Sequence, residues 1–204
     1  MLHQIHFQIR DPKKKKPKRK NTMRAPSLFF LATLLVHISV QCNATDSQLG
    51  SEKVTNLHFY LHDTLGGKDP TAVPVARGDG ATPGPGNPAP FSSVYVADDV
   101  LTEGPERQSR VVGNAQGLYV SSGKGELSLV LGMDFELTDG PFGGSSFVVF
   151  SRNPVSRGDG RELAVVGGRG VFRMARGFAL LRTHYLDTGN GDAIIEYNVT
   201  LLHY

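Results

Sequence analysis

Residues 126–137 read ELSLVLGMDFEL, with Leu127, Leu129, Leu131, Met133, Phe135 and Leu137 at every second position. Successive side chains of a strand point to opposite faces, so these six share one face and leave the other to residues such as Ser128, Asp134 and Glu136. The same alternation recurs on either side. LHFYLHD (57–63) sets Leu57, Phe59 and Leu61 against His58, Tyr60 and His62. AIIEYNVTLLHY (193–204) mixes β-branched and aromatic residues throughout. SVYVAD (93–98), RVVGNAQGLYVSS (110–122), SSFVVFS (145–151), ELAVVG (162–167) and FALLRTHY (178–185) read as shorter strands. Glycine-rich breaks part them: SGKG (122–125), DGPFGG (139–144), GDG (158–160), GGRG (167–170) and DTGNG (187–191).

About eight strands joined by short turns, with no amphipathic helix, predict an antiparallel all-β domain. Eight such strands can close into a barrel whose interior holds one small ligand; a sandwich shares the same periodicity. Residues 70–90, with six Pro and four Gly, are expected to form a long surface or rim loop with little regular pairing, inside the domain.

The loudest local signal is DPKKKKPKRK at 11–20, seven of ten residues Lys or Arg, which alone has the form of a nucleic-acid arm or an import tag. It precedes an apolar run, Leu28–Val40, too short to span a bilayer, which needs roughly 20 residues. With Arg24 ahead of it and small residues Cys42 and Ala44 behind it, residues 23–44 read as a secretory signal cleaved after Ala44, and Met23 as a candidate start. Residues 1–22 are then a basic leader and 45–53 a flexible N-terminus before a barrel domain at 54–204. The whole chain carries +3, but residues 1–44 hold nine of its 22 basic residues and one of its 19 acids. The remainder is acidic, at −5, which excludes the electrostatic footprint of a nucleic-acid binder. Cys42, the only cysteine, leaves with the signal. No disulfide framework and no cysteine-built metal site is then expected.

Among residues that could carry chemistry, His58 and His62 are four apart. On a strand that is about 13 Å, against metal–nitrogen bonds near 2 Å, so they do not share a metal. GGRG lacks the Lys-Ser/Thr of a phosphate loop and reads as a turn between strands. Neither a GxSxG elbow nor a triad context surrounds the four histidines beyond residue 44. No metal or flavin signature appears, so neither a cofactor nor redox chemistry of its own is expected. Asn198-Val199-Thr200 is a glycosylation sequon that requires Asn198 to face solvent. Asp63 has the parity of Leu57, Phe59 and Leu61. If that face lines a barrel, Asp63 is a carboxyl in an apolar cavity, its pKa raised toward acid–base work; otherwise it caps the turn before Gly66.

Several segments together resemble the plant dirigent family: LHFYLHDT (57–64), DDVLTEGPE (98–106), VGNAQGLYV (112–120), RELAVVGGRGVFRMARGFAL (161–180) and AIIEYNVTLLHY (193–204). They occur in family order over nearly all of 54–204. The resemblance implies a secreted, apoplastic, eight-stranded antiparallel β-barrel that forms homo-oligomers, dimers or trimers. It implies stereo-directed coupling of monolignol radicals, such as those of coniferyl alcohol, to lignans, the radicals coming from a separate laccase or peroxidase. On that reading the chain is an auxiliary without its own oxidative centre, and no membrane is involved once the signal is gone. The alternatives are a lyase that dehydrates an isoflavonoid-type alcohol through a quinone methide, and a cell-wall scaffold for lignin deposition. The family's pocket residues fall on Asp63, Tyr119 and Arg161, Arg161 to bind a phenol oxygen or hold a carboxylate ionised. Phe59 and Asn153 are expected to contact substrate. Asn153 stands where pinoresinol-forming relatives carry a second pocket Asp, and an amide cannot act as an acid.

Overall fold

The computed structural model describes residues 49–78 and 87–204. The basic leader, the signal peptide and Cys42 lie outside the described residues.

Among the described residues nine strands run in order: β1 (Lys53–Asp63), β2 (Ala72–Ala76), β3 (Val94–Thr102), β4 (Val111–Ser121), β5 (Leu129–Leu137), β6 (Ser145–Asn153), β7 (Arg161–Arg169), β8 (Arg176–Leu186) and β9 (Ala193–His203). Every pairing is antiparallel. β3 to β9 form a meander, β9 pairs β1, and β1 pairs back onto β3, closing an eight-stranded barrel. The closing seam is short, with Tyr60 opposite Thr102, Leu61 opposite Leu101 and His62 opposite Val100. Above it β2 takes over the same edge of β3, with Ala72 opposite Ala97 and Val73 opposite Val96. The barrel and not the sandwich is therefore the fold, and β1–β3 pairing is what decides it.

β2 corrects one expectation. Residues 72–76 are paired, although they lie in the Pro-rich stretch expected to lack regular pairing. Pro74 is tolerated because β2 pairs only with β3 and its register shifts between Pro74 and Ala76, where an absent N–H costs no ladder bond. Residues 79–86 lie outside the described residues. GGRG also differs in detail: Gly167, Gly168 and Arg169 finish β7, and the chain turns only at 170–172.

Alternation holds along each wall. Leu131, Met133, Phe135 and Leu137 of β5 point inward and are buried, as do Phe59 and Leu61 of β1. One end of the barrel is filled. Phe135 stacks on Phe147 (5.0 Å between ring centroids), Phe59 stacks on Tyr197 (5.4 Å), and Phe172 closes over them from the turn after β7. Aromatic rings suit this plug, since offset and tilted pairs contribute beyond the area they bury. The other end, where β1 and β8 finish and β5, β7 and β9 begin, stays open around a cavity.

Candidate functional site

The cavity holds about 760 Å³ of empty space, counting the open solvent at its mouth. Its walls are mainly apolar, from Leu61, Leu129, Leu131, Met133 and Ile195. Six polar side chains break that surface: Asp63, Asp99, Tyr119, Asn153, Arg161 and Thr183; Tyr197 joins them from β9. The order of strands round the barrel divides them. Asp63 (β1), Asp99 (β3) and Tyr119 (β4) lie on one arc, while Asn153 (β6), Arg161 (β7) and Thr183 (β8) lie on the arc across the lumen. An acidic wall thus faces a donor wall.

Asp63 reaches the lumen by the parity read from LHFYLHD. Asp99 reaches it by the parity of Tyr95, Ala97 and Leu101, all buried. Extending the β1–β3 register one step past His62–Val100 sets Asp63 opposite Asp99. Two carboxyl groups taken out of water side by side cannot both ionise cheaply. Burial, and then the nearby Asp99, hold the Asp63 carboxyl well above the usual carboxylate range. Burial pushes Asp99 up to about 7, offset in part by a hydrogen bond from Thr71. Tyr119 donates a long hydrogen bond to Asp63 Oδ1 (3.5 Å) and stacks on Tyr95 (4.8 Å). Burial and the two carboxyls raise the Tyr119 phenol, so it stays a hydroxyl donor. Burial likewise raises Tyr197.

On the opposite wall, Arg161 Nη1 donates to the Gly158 carbonyl and to Thr183 Oγ1 (both 2.9 Å), while its Nε is buried without a partner. Burial lowers its pKa, with Tyr197 and Asp159 opposing that shift. Asn153 is buried and its Oδ1 also lacks a partner. Unpaired buried polar atoms cost roughly 1–3 kcal/mol each, and both belong to residues that line the cavity. Among the described residues no cluster of His, Cys, Asp or Glu is arranged to hold a metal ion.

Asp63, Tyr119, Asn153 and Arg161, all candidates from the sequence, therefore line one cavity. Three points differ. Phe59 does not border the cavity; it lies in the aromatic plug against Tyr197, Phe135 and Phe147. Arg161 makes no ion pair with a carboxylate among the described residues; its charge is left for a ligand or for the Gly158 and Thr183 oxygens. The second carboxyl, taken as lost at Asn153, is supplied by Asp99 from β3. Asp99 lies just past the SVYVAD pattern, in a strand that runs four residues further to Thr102; continuing the period of Tyr95 and Ala97 makes Asp99 an inward carboxyl. His62 departs from the outward-facing pattern in another way. It is buried beneath the 103–110 loop, its Nε2 2.7 Å from Thr102 Oγ1. Asn198 is exposed on β9, which meets the condition set for its sequon.

Comparison with known proteins agrees with this geometry. The family model described as "Dirigent-like protein" matches residues 54–202. Dirigent protein 15 of Arabidopsis thaliana is 47% identical over 85% of this chain and 93% of its own length. Pterocarpan synthase 1 of Glycyrrhiza echinata is 40% identical over 87% of this chain and 94% of its own. A solved pterocarpan synthase dirigent protein superposes with a TM-score of 0.71 at 42% identity, covering 77% of this chain and 88% of that one. A second solved protein of that description gives 0.70 at 42%, covering 74% and 96%.

Proposed function

The chain belongs to the dirigent family, and on that premise we propose that its cavity takes a phenolic alcohol and removes water from it by acid-assisted passage through a quinone methide. The observation that carries this is the Asp63–Asp99 pair, two carboxyls facing each other in an apolar cavity with raised pKa values. A protonated carboxyl donates to a benzylic hydroxyl, the C–O bond breaks and water leaves. The phenol conjugated to that carbon gives up its proton to the second, ionised carboxyl of the pair. A neighbouring hydroxyl of the same molecule then adds to the carbon and returns its proton to the first carboxyl, and the phenol is re-protonated by the second. Atoms and charges balance with the loss of one water, and both carboxyls end as they began. Positioned acids and bases of this kind contribute about 10²–10⁴-fold each. Arg161 and Asn153, across the lumen, hold the ligand's oxygens. Relatives named pterocarpan synthase, at 40–42% identity, support an isoflavonoid-type substrate.

A second reading, stereo-directed coupling of monolignol radicals supplied by a laccase or peroxidase, is supported by a relative named only a dirigent protein at 47% identity. It uses the same acids to protonate bis-quinone methides after coupling, and the same walls to fix one pose; about 1.4 kcal/mol between two poses gives tenfold selectivity. Oxidant separates the two. Purified protein and an isoflavonoid-type benzylic alcohol, without oxidant, are expected to yield the dehydrated, ring-closed product as one enantiomer on a chiral column, and Asp63→Ala to abolish it. No turnover without oxidant, together with an enantiomerically enriched lignan from coniferyl alcohol plus laccase, would move the assignment to the second reading.

The place of action follows from the leader. With residues 23–44 as signal, the barrel works in the apoplast. N-terminal sequencing of protein collected from the medium of expressing plant cells is expected to begin at Thr45; retention of the intact chain in the cell would overturn this.

A further inference from the structure

The two carboxyls are not equivalent, and the difference comes from outside the cavity. Thr71 lies just before β2, where β1 and β2 meet along one edge of β3. Its main chain is fixed on both sides: Thr71 N donates to the Thr64 carbonyl (2.8 Å) and its carbonyl accepts from Asp98 N (2.9 Å). Its hydroxyl oxygen accepts the N–H of Thr64 (3.0 Å). The hydroxyl hydrogen is therefore left with two acceptors, Asp99 Oδ1 at 2.6 Å and the His62 carbonyl at 3.4 Å. The first is the length of a hydroxyl on a charged oxygen; the second is at the edge of bonding. Asp63, by contrast, meets only the 3.5 Å contact of Tyr119 among the described residues. A hydroxyl donating to one oxygen of Asp99 favours its ionised form, because the bond to a charged carboxylate is stronger than the bond to a neutral acid.

We infer that Thr71 is a positioning residue that breaks the symmetry of the pair, keeping Asp99 as the carboxylate that takes protons and leaving Asp63 as the acid that gives one. This rests on the dehydration reading above and adds to it the division of roles. Thr71 does not itself border the cavity; it sits in a separate outer pocket with His62, Thr64, Thr102 and Arg107. The groups whose charge bears on Asp99 are its neighbour Asp98 on β3 and Asp63 from β1; Tyr119 from β4 and Tyr197 from β9 lie close enough for the Asp99 charge to raise their phenols, so both face it as neutral hydroxyls. Arg107 is tied to Thr64 Oγ1 (3.1 Å) and His62 to Thr102, so neither pairs with the carboxylate.

The test is the pH profile of turnover in wild type, Thr71→Val and Thr71→Ser, beside a titration of the cavity carboxyls by NMR on ¹³C-aspartate-labelled protein. Activity needs Asp99 ionised and Asp63 protonated, so its acid limb reports Asp99 and its alkaline limb Asp63. Loss of the donor in Thr71→Val raises the proton affinity of Asp99. The acid limb and the lower carboxyl titration are expected to move up by about one pH unit, with the alkaline limb in place and KM little changed. Thr71→Ser restores both. A Thr71→Val protein whose lower carboxyl titrates as in wild type overturns the inference, as does an equal loss at every pH that Thr71→Ser does not repair. Should Thr71→Val not accumulate as folded protein, Thr71→Ala is read by the same two measurements. If wild type shows no dehydration at all, the dehydration reading falls, and the NMR titration still decides whether Thr71 holds Asp99 ionised.

Discussion

Asp98 and Asp99 are adjacent and have opposite fates. Asp98 points out of the barrel, where Asn114 Nδ2 (3.0 Å) and Gln116 Nε2 (2.9 Å) donate to it; Asp99 points in and is buried. Exchanging each for Asn is therefore a matched pair. Asp99→Asn is expected to lower kcat by about 10²-fold or more, while Asp98→Asn stays within about twofold; steady-state rates on the phenolic alcohol check this. Asn at 99 still offers an oxygen to Thr71, so the loss would report chemistry and not a collapsed wall. Arg161 acts across the lumen through binding. Lys keeps the charge but not the planar fork that serves Gly158, Thr183 and a ligand at once. Arg161→Lys is expected to raise KM about tenfold with a smaller effect on kcat, since a single binding hydrogen bond to a charged group is worth about 1.5–3 kcal/mol. At this scale the sequence was partly legible. Parity made Asp63 a candidate for the interior but left a turn cap open, and the family resemblance decided for the pocket, as it did for Tyr119 and Arg161. Asp99 stayed hidden because one residue of strand end decides which of two neighbouring aspartates is inward. Phe59 has an inward parity too, but parity cannot tell a plug from a lining.

Elements were more legible than residues, because each inward face is a period-two run of large apolar groups. The exceptions have physical causes. β2 contains a proline and pairs with a single neighbour, so it carries neither the composition nor the length of a core strand. The burial of His62 is imposed by a loop that follows β3, a contact invisible to local pattern. Glycines inside strands show the reverse, a local residue whose reason is tertiary. Gly177 in β8 lies so close to β9 that a Cβ there would stand 1.9 Å from the Thr200 carbonyl oxygen and 3.0 Å from its carbon. Both atoms are backbone, so no rotamer change relieves the clash. Gly177→Ala is expected to destabilise the barrel by about 3 kcal/mol, at the upper end of overpacking costs, seen as a lower urea midpoint with an unchanged slope. Gly167 in β7 has open space at its Cβ position, and Gly167→Ala should leave the midpoint within about 0.5 kcal/mol.

Closing the sheet on itself is what makes the cavity possible, and it also ties stability to pH. In an unfolded chain Asp99 would titrate near 3.9; in the barrel it titrates at about 7. Between those values the folded protein holds a proton that the unfolded chain has lost, so stability falls as pH rises through this window. Three pH units on one carboxyl correspond to about 4 kcal/mol as an upper bound, and Asp63 acts in the same direction. Two sets of groups oppose this trend at lower pH. His62 is held below its ordinary value, by burial first and Arg107 second, so its contribution is lost as pH falls below about 6.5. Glu196 is held low by His58, and Glu103 and Glu126 by arginines, so their contributions fade only as pH drops toward the usual carboxylate range. Comparing wild type with Asp99→Asn at each pH cancels these terms, since they are common to both proteins. Asp99→Asn is expected to unfold in urea close to wild type at pH 4.5 and to be the more stable of the two at pH 7.5, by on the order of 2–4 kcal/mol. Stability curves that run parallel from acid to neutral pH would mean that Asp99 does not hold its proton in the barrel, and its raised pKa would then have to be abandoned, leaving Asp63 as the one proton-holding carboxyl of the pair.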